Sequence, residues 1–361
     1  MNITHDRVHQ QILNILHAWG MADDLAQTTA DAIVETDLMG VDSHGISMLM
    51  AYEQRKIEGK LNLRAKPTIL HETPAMAVVD GQAGLGHPVA SFAMNLAVDK
   101  ALKIGVAGVG VRNSHHFGAT GVYARIASKR GVIGMVTSAT RGITMVPTRG
   151  KTPVLGTNPI AFSAPAKRNR PFTLDMATTT SAGNKVKVYD LNDKKLPAGW
   201  MIDGQGNTVT DAHRAMEMMH DGSKSGGLTP VGSAESTASY KGYGLAMMAH
   251  ILGGTLNGGS FSPIREKTQG NTDPDNIGHF FLAIDPKAFR GLGEFENDLD
   301  DVIDILHATP PLDPSRPVLV AGDPEAAERE RRMKNGIPIP EKLDKHIRDI
   351  CGRCGAQYVL T

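Results

Sequence analysis

Between residues 75 and 137 the hydrophobic pattern switches period again and again, and no other feature restricts the fold as much. Ala77-Val78-Val79-Asp80 reads as a short strand, Val89 to Ile104 as a helix, Val106 to Val111 as a strand, Ala119 to Lys129 as a helix and Val132 to Thr137 as another strand. Strands and helices in such alternation predict an α/β lobe. Further strands are expected at Ile160 to Ala164, Phe172 to Met176 and His279 to Ile284. A Gly/Ser/Thr-rich stretch, about 204–239, reads as an irregular surface excursion. Tyr243 to Leu256 reads as a buried helix.

Helical patterns flank this region on both sides. Val8, Ile12, Ile15, Leu16 and Trp19 recur at helical spacing before Gly20, and Ala26, Ala30, Ile33, Val34 and Leu38 repeat it before Gly40. A third amphipathic segment runs to about Glu58, and Asp42 or Ser43 suits its N-cap. The chain ends helically, with a charged segment, Glu325 to Lys334, expected on a solvated face. No internal repeat and no long linker separates independent domains. The natural partition is a helical lobe built from both termini, residues 1–74 plus 312–361, packed on an α/β lobe of residues 75–311.

Thirty-eight Lys and Arg balance 38 Asp and Glu across the 361 residues. With no net basic field, nucleic acid and anionic membranes are not expected partners. No apolar run reaches the roughly 18 residues of a membrane span. The opening segment, MNITHDRVHQQILN, lacks the apolar core of a signal peptide. Two cysteines, Cys351 and Cys354, cannot build a disulfide framework. These features predict a cytoplasmic chain.

Three polar clusters are able to carry chemistry. Asp42-Ser43-His44-Gly45 puts an imidazole at a helix start with a hydroxyl beside it; it is either an oriented acid/base or a simple capped turn. Asn113-Ser114-His115-His116-Phe117-Gly118-Ala119-Thr120-Gly121 lies where a strand gives way to a helix, the usual place for ligands in α/β sheets. There a helix N-terminus offers N–H groups to phosphate. Gly156-Thr157-Asn158-Pro159 and Asp175-Met176-Ala177-Thr178 form the third, either turns or ribose and amide contacts. The glycines of Gly81 to Gly86 and Gly105 to Gly110 do not follow the G-x-G-x-x-G order. A bound dinucleotide would therefore need a non-Rossmann architecture. No H-E-x-x-H spacing supports a metal site, and the lone C-x-x-C has no second pair.

Taken in order along nearly the whole chain, these motifs resemble the malate/L-lactate dehydrogenase family of the type II, sulfolactate dehydrogenase-like kind. Pro197-Ala198-Gly199-Trp200, Lys241-Gly242-Tyr243-Gly244 and the run from Arg332 to Gly336-Ile337-Pro338 complete the register. The resemblance implies an NAD or NADP oxidoreductase with a non-Rossmann sheet lobe, acting as a homodimer on a small 2-oxo/2-hydroxy acid. It implies His44 as proton donor with Ser43 as relay partner. It implies cofactor contacts from His116, Phe117, Gly118, Ala119, Thr120, Asp175, Met176, Ala177 and Lys241, with Gly322 and Asp323 in a late cofactor loop. Thr157 falls beside the substrate.

Two departures bear on that substrate. Many relatives carry an arginine where this chain has Met48, and Arg-Gly where it has Gly183-Asn184. Met48, Gly183 and Asn184 are thus expected to border a pocket wider and less cationic than in those relatives. The alternatives are a reductase of a cyclic imino acid (a piperideine or pyrroline carboxylate, C=N replacing C=O) and an inactive nucleotide-binding homologue.

Overall fold

The computed structural model describes every residue except 192, 221–224 and 271. At the N-terminus β1 (Asn2–Ile3) precedes α1 (His5–Ala18), α2 (Asp23–Leu38) and, after a 3-10 turn at Ile46–Met48, α3 (Leu49–Ile57). Gly20 and Gly40 take φ +87° and +79°, the left-handed conformation that ends a helix after α1 and α2. Next come β2 (Thr68–Glu72), β3 (Met76–Gly84), α4 (Gly86–Ile104), β4 (Val106–Ser114), α5 (Gly121–Ser128), β5 (Ile133–Ala139), β6 (Ile160–Ala164) and β7 (Phe172–Met176). A small unit follows: α6 (Gly183–Leu191), β8 (Met201–Asp203), α7 (Ala212–His220) and β9 (Gly226–Leu228). The chain closes with α8 (Ser239–Gly253), α9 (Ser262–Thr268), β10 (Ile277–Ile284), α10 (Glu294–Ala308), α11 (Asp323–Asn335), β11 (Ile337–Pro338) and α12 (Glu341–Cys354).

The central sheet has seven strands in the order β2-β3-β4-β10-β5-β6-β7. Only β3 and β4, joined by the α4 crossover, run parallel; the other neighbours are antiparallel. This is an α/β sheet unlike the parallel doubly wound one, as the missing glycine fingerprint leads one to expect. Val109, Val111, Val136 and Phe281 pack beneath α4 and α5. Gly110, which alternates with the two valines, faces the other way, and a Cβ there would run into Asn257 beyond α8.

The two chain ends share one core. Val8, Ile12, Ile15 and Leu16 of α1 and Ile33 of α2 join Ile347 and Ile350 of α12, while β1 pairs with β11. The α6–α7 unit has its own small core, with Val186, Met201, Ala212, Ala215 and Leu228 buried.

Several expectations need correction. The sheet begins at Thr68, ahead of the expected lobe boundary at 75, because β2 pairs with β3. The stretch expected to be irregular at 204–239 holds α7 and β9, apart from 221–224, which lie outside the described residues. Ala212, Ala215, Met216 and Met219 carry a helical period that the neighbouring Gly and Ser residues mask. Helix α8 is not buried throughout: Leu245, Met248 and Ile251 are exposed. Neither Asp42 nor Ser43 caps the segment that follows. Nor is the Glu325 to Lys334 segment wholly solvated, since Arg332 is buried against Asp42 and the Asp37 carbonyl.

Candidate active site

His44 rides on the turn between α2 and α3, and that turn is clamped from the last turn of α2. The Asp37 carboxylate accepts a hydrogen bond from the Ile46 backbone N–H at 2.8 Å. Asp42, the residue expected to cap, is drawn away by Arg332 instead. The clamp leaves Ser43 Oγ 2.8 Å from His44 Nδ1, which fixes the ring and commits Nδ1. Burial pushes the His44 pKa down to about 4.

His116 arrives from the other side, on the loop between β4 and α5. Its ring stacks on that of His44, centroids 5.5 Å apart and planes 20° from parallel. Tyr52 Oη lies 2.9 Å from His116 Nδ1, and the Gly118 N–H donates to the same nitrogen at 3.2 Å. A backbone N–H can only donate, so Nδ1 is the acceptor and the neutral ring carries its proton on Nε2. Burial, and the histidines around it, hold His116 well below the ordinary imidazole value.

The loop after His116 forms a cradle floored by backbone. A Cβ at Gly118 would meet His87 Nε2 at 3.0 Å, and one at Gly121 would meet the Asp175 side chain at 2.9 Å. The Gly121 N–H donates to Asp175 Oδ2 at 2.7 Å, tying the start of α5 to the end of β7. Thr178 donates from both backbone and hydroxyl to the Thr157 carbonyl at 2.9 Å, which adds the third cluster to the same wall. Gly322 lies against Thr173 at the far end. Backbone without a Cβ and a carboxylate thus meet at the start of α5, where Asp175 already takes the Gly121 N–H.

At the opposite end stand Met48, Asn184 and a set of guanidinium groups. Asn184 Nδ2 donates to the Ser43 carbonyl at 3.0 Å and lies 3.6 Å from Met48 Sδ, so α6 is pinned to the His44 turn. Arg141 Nε donates to Asp275 Oδ1 at 2.6 Å, and Arg141 keeps 37% of its side chain exposed. Asp275 is buried and also faces His115 at 3.5 Å, Arg55 at 3.8 Å and Arg265 at 3.9 Å. Burial works against its ionisation, but His115, Arg141 and Arg55 outweigh it and hold the carboxyl below the usual range.

Ser43, His44, Met48, His116, Phe117, Gly118, Ala119, Thr120, Thr157, Asp175, Met176, Ala177, Gly183, Asn184 and Gly322 all line a single cleft of about 1280 Å³. That exceeds the roughly 300–1,000 Å³ of a site for one drug-sized ligand, leaving room for a dinucleotide and a small acid together. Phe117 contributes mostly from below, being buried between Tyr123 and His279. Two expected residues stay outside the cleft. Lys241 is exposed on the first turn of α8. Asp323 turns its carboxylate to the Val320 N–H and to His307, each at 2.7 Å. Sequence reasoning missed Asp37, Tyr52, Asp275, Met216 and Met219. Tyr52 carried a local signal, since it follows Met48 and precedes Arg55 at helical spacing, as did the masked helical period of Met216 and Met219.

A sequence profile of the malate/L-lactate dehydrogenase family matches residues 3–348. The malate dehydrogenase of Pyrococcus horikoshii is 36% identical over 99% of this chain and 96% of its own length. The L-sulfolactate dehydrogenase of Methanocaldococcus jannaschii is 33% identical over 95% of this chain and 94% of its own. Among solved structures, the crystal structure of malate dehydrogenase from Entamoeba histolytica superposes with a TM-score of 0.93 at 30% identity, covering 99% of both chains.

Proposed function

The chain belongs to the malate/L-lactate dehydrogenase family of oxidoreductases, and from that premise we propose that it interconverts a 2-hydroxy acid and a 2-oxo acid with NAD or NADP, using His44 as acid/base. The observation that carries this reading is the Ser43–His44 contact at 2.8 Å in the wall of a cleft that also holds the Gly118–Gly121 loop. With Nδ1 committed to Ser43, Nε2 of His44 remains for the substrate oxygen.

When bound, the nicotinamide supplies or takes up the hydride. Gly118 to Gly121 and Asp175 would hold the dinucleotide, Met176, Ala177 and Gly322 would line it, and Thr157 would lie beside the substrate. In the oxidation direction, neutral His44 takes the hydroxyl proton at Nε2 as the carbonyl forms. In reduction it returns that proton to the oxygen. Ser43 keeps the ring in place throughout. Arg141, fixed by Asp275, suits the carboxylate common to all such acids. His116, neutral and carrying its proton on Nε2, adds a hydrogen-bond donor to the cleft.

The working unit in this reading is a homodimer in the cytoplasm. Leu245, Met248 and Ile251 leave α8 with an uncovered apolar face suited to a second copy. Among the described residues no helix is long and apolar enough to cross a membrane, and both cysteines are free thiols. Light scattering should give twice 38.6 kDa.

The test is to mix the protein with NADH or NADPH and a panel of 2-oxo acids and cyclic imino acids, following loss of reduced nicotinamide. Consumption with a 2-oxo acid supports the reading. Consumption with cyclic imino acids alone makes the chain an imino acid reductase, and tight cofactor binding without any consumption makes it an inactive homologue.

A further inference from the structure

Helix α7 belongs to a unit with its own hydrophobic core, yet two of its side chains leave that core for the cleft. Met216 and Met219 are partly buried against Val186, Met201 and Ala215 and also line the cavity that contains His44. They are held beside the reacting end by a chain of contacts. A Cβ at Gly183 would sit 2.9 Å from Met219 Cε, so the lack of a side chain at 183 is what admits the methionine. The next residue, Asn184, is bonded to the Ser43 carbonyl and touches Met48. Three thioethers from two separate elements therefore line the cleft that holds Ser43-His44.

Of the cations nearby, Lys187 is exposed on α6, and two others have partners. Arg55 is engaged by Glu58 and Asp275, and Lys185 lies over the Trp200 ring at 5.4 Å. Arg141 has one edge on Asp275 and the other open. That provides one anchor, enough for the carboxylate next to the carbonyl. A second carboxylate on the substrate would have to shed water against thioethers that offer only weak hydrogen bonding. An apolar side chain would instead gain contact with flexible, polarizable groups that adapt to its shape.

Resting on the acid-dehydrogenase reading above, we propose that Met216 and Met219, with Met48, form the wall that receives the substrate side chain, and that the substrate is a monocarboxylic 2-oxo/2-hydroxy acid with an apolar side chain longer than methyl. The α6–α7 unit is thereby the specificity element of the enzyme, separate from the residues that move the proton.

Reduction of pyruvate, 2-oxohexanoate, 4-methyl-2-oxopentanoate and oxaloacetate, compared by kcat/KM, tests this. Each buried methylene contributes roughly fourfold, so 2-oxohexanoate should exceed pyruvate by at least about tenfold. Oxaloacetate should fall below both longer acids. Met219→Ala should shrink the 2-oxohexanoate-to-pyruvate ratio, a readout that general damage to the enzyme does not move. Met219→Lys should raise the oxaloacetate-to-2-oxohexanoate ratio by roughly tenfold or more, the worth of a new charged hydrogen bond, and this gain cannot come from misfolding. A preference of the unmodified protein for oxaloacetate overturns the proposal while leaving the dehydrogenase reading intact, as do ratios unchanged in both variants. No turnover of any acid in the panel overturns both.

Discussion

The Asp37 carboxylate occupies the space that a side chain at Gly45 would need. A Cβ at 45 would fall well inside contact distance of Asp37 Oδ1, while Oδ2 of the same group holds the Ile46 N–H. The glycine after His44 is thus a packing requirement, because the clamp that orients the His44 turn lies directly against it. Gly45→Ala should displace Asp37 and cost about 2–4 kcal/mol, combining overpacking with a lost buried hydrogen bond. Turnover should fall with stability, since His44 moves with the turn. Gly352→Ala on α12 is the control: its added methyl meets nothing within 4 Å, and helix propensity makes it neutral or slightly stabilising. Denaturant midpoints and turnover of the two variants decide the point; equal midpoints would contradict the clamp.

His44→Asn removes the proton acceptor but not the cradle at Gly118, Gly121 and Asp175. Turnover should drop by about 10²–10⁴-fold, the usual worth of general acid–base catalysis. The dissociation constant for reduced nicotinamide, followed by fluorescence, should stay nearly unchanged. Near-normal turnover would take His44 out of the mechanism and move attention to His116, which stacks on it.

How much of this site was legible depends on where each contact originates. Ser43-His44 stands out because its contact is between neighbours, and His116 to Thr120 because the residue types follow one another at a strand-to-helix junction, although Tyr52 and His44, which hold His116, are distant in sequence. Strands β6 and β7 were readable to the residue from their local pattern. Asp37, Arg141 and Asp275 were harder, because their meaning comes from pairs 9 and 134 positions apart. A buried carboxylate collecting three guanidiniums and an imidazole looks, in one dimension, like an ordinary loop aspartate. Met216 and Met219 were lost when Gly and Ser neighbours disguised their helix. Lys241, at a helix start beside two glycines, is a different case: its sequence setting allows an anion contact or a solvated residue, and in the fold it is exposed outside the cleft.

The proton chemistry should appear in the pH profile. Burial lowers His44 from 6.5 toward about 4, but the ring is only half-buried and the open cleft restores some solvation, so the apparent value should lie between these limits. Oxidation of the hydroxy acid needs the neutral ring. Its kcat/KM should stay level from pH 8 down past 6.5 and then fall, while that for reduction rises over the same interval. The sign for stability is the same as for oxidation. Between the folded and ordinary values the unfolded chain binds more protons, so the fold loses stability as pH drops through that window. Circular dichroism at each pH separates the two effects. A midpoint at or above 6.5 for oxidation would mean that His44 does not feel the burial.

Met48→Arg tests the pocket from the α3 side. Residue 48 ends the 3-10 turn that follows His44, lines the same cleft and touches Asn184, so a guanidinium there would border the same space as the substrate side chain. The ratio of kcat/KM for oxaloacetate to that for phenylpyruvate should rise by roughly 10–100-fold, the range of one charge-assisted hydrogen bond to a buried carboxylate. An unchanged ratio would show that position 48 does not meet the substrate.

The anchor for the substrate carboxylate gives the last prediction. Arg141 lies in the cleft wall with one edge bonded to Asp275 at 2.6 Å and more than a third of its side chain exposed. Asp275 aims the guanidinium, and in the proposed reading Arg141 meets the substrate carboxylate. Arg141→Ala should therefore raise KM for 2-oxo acids by roughly 10–100-fold, with a smaller change in kcat and none in cofactor affinity. Added guanidinium ion should recover part of the loss, which a purely structural role for Arg141 would not allow. Asp275→Asn should act in the same direction by loosening Arg141. It also leaves Arg55, Arg265 and Arg141 facing one another without their shared counter-charge, and breaking such a buried group costs about 3–5 kcal/mol. Its KM is therefore meaningful only beside a melting curve, whereas Arg141→Ala leaves Asp275 with its three other partners and isolates the binding term. If KM holds in both variants while the melting temperature of Asp275→Asn falls, Asp275 is a structural hub alone, and the carboxylate is gripped elsewhere in the cleft, with Lys185 the next cation in its wall.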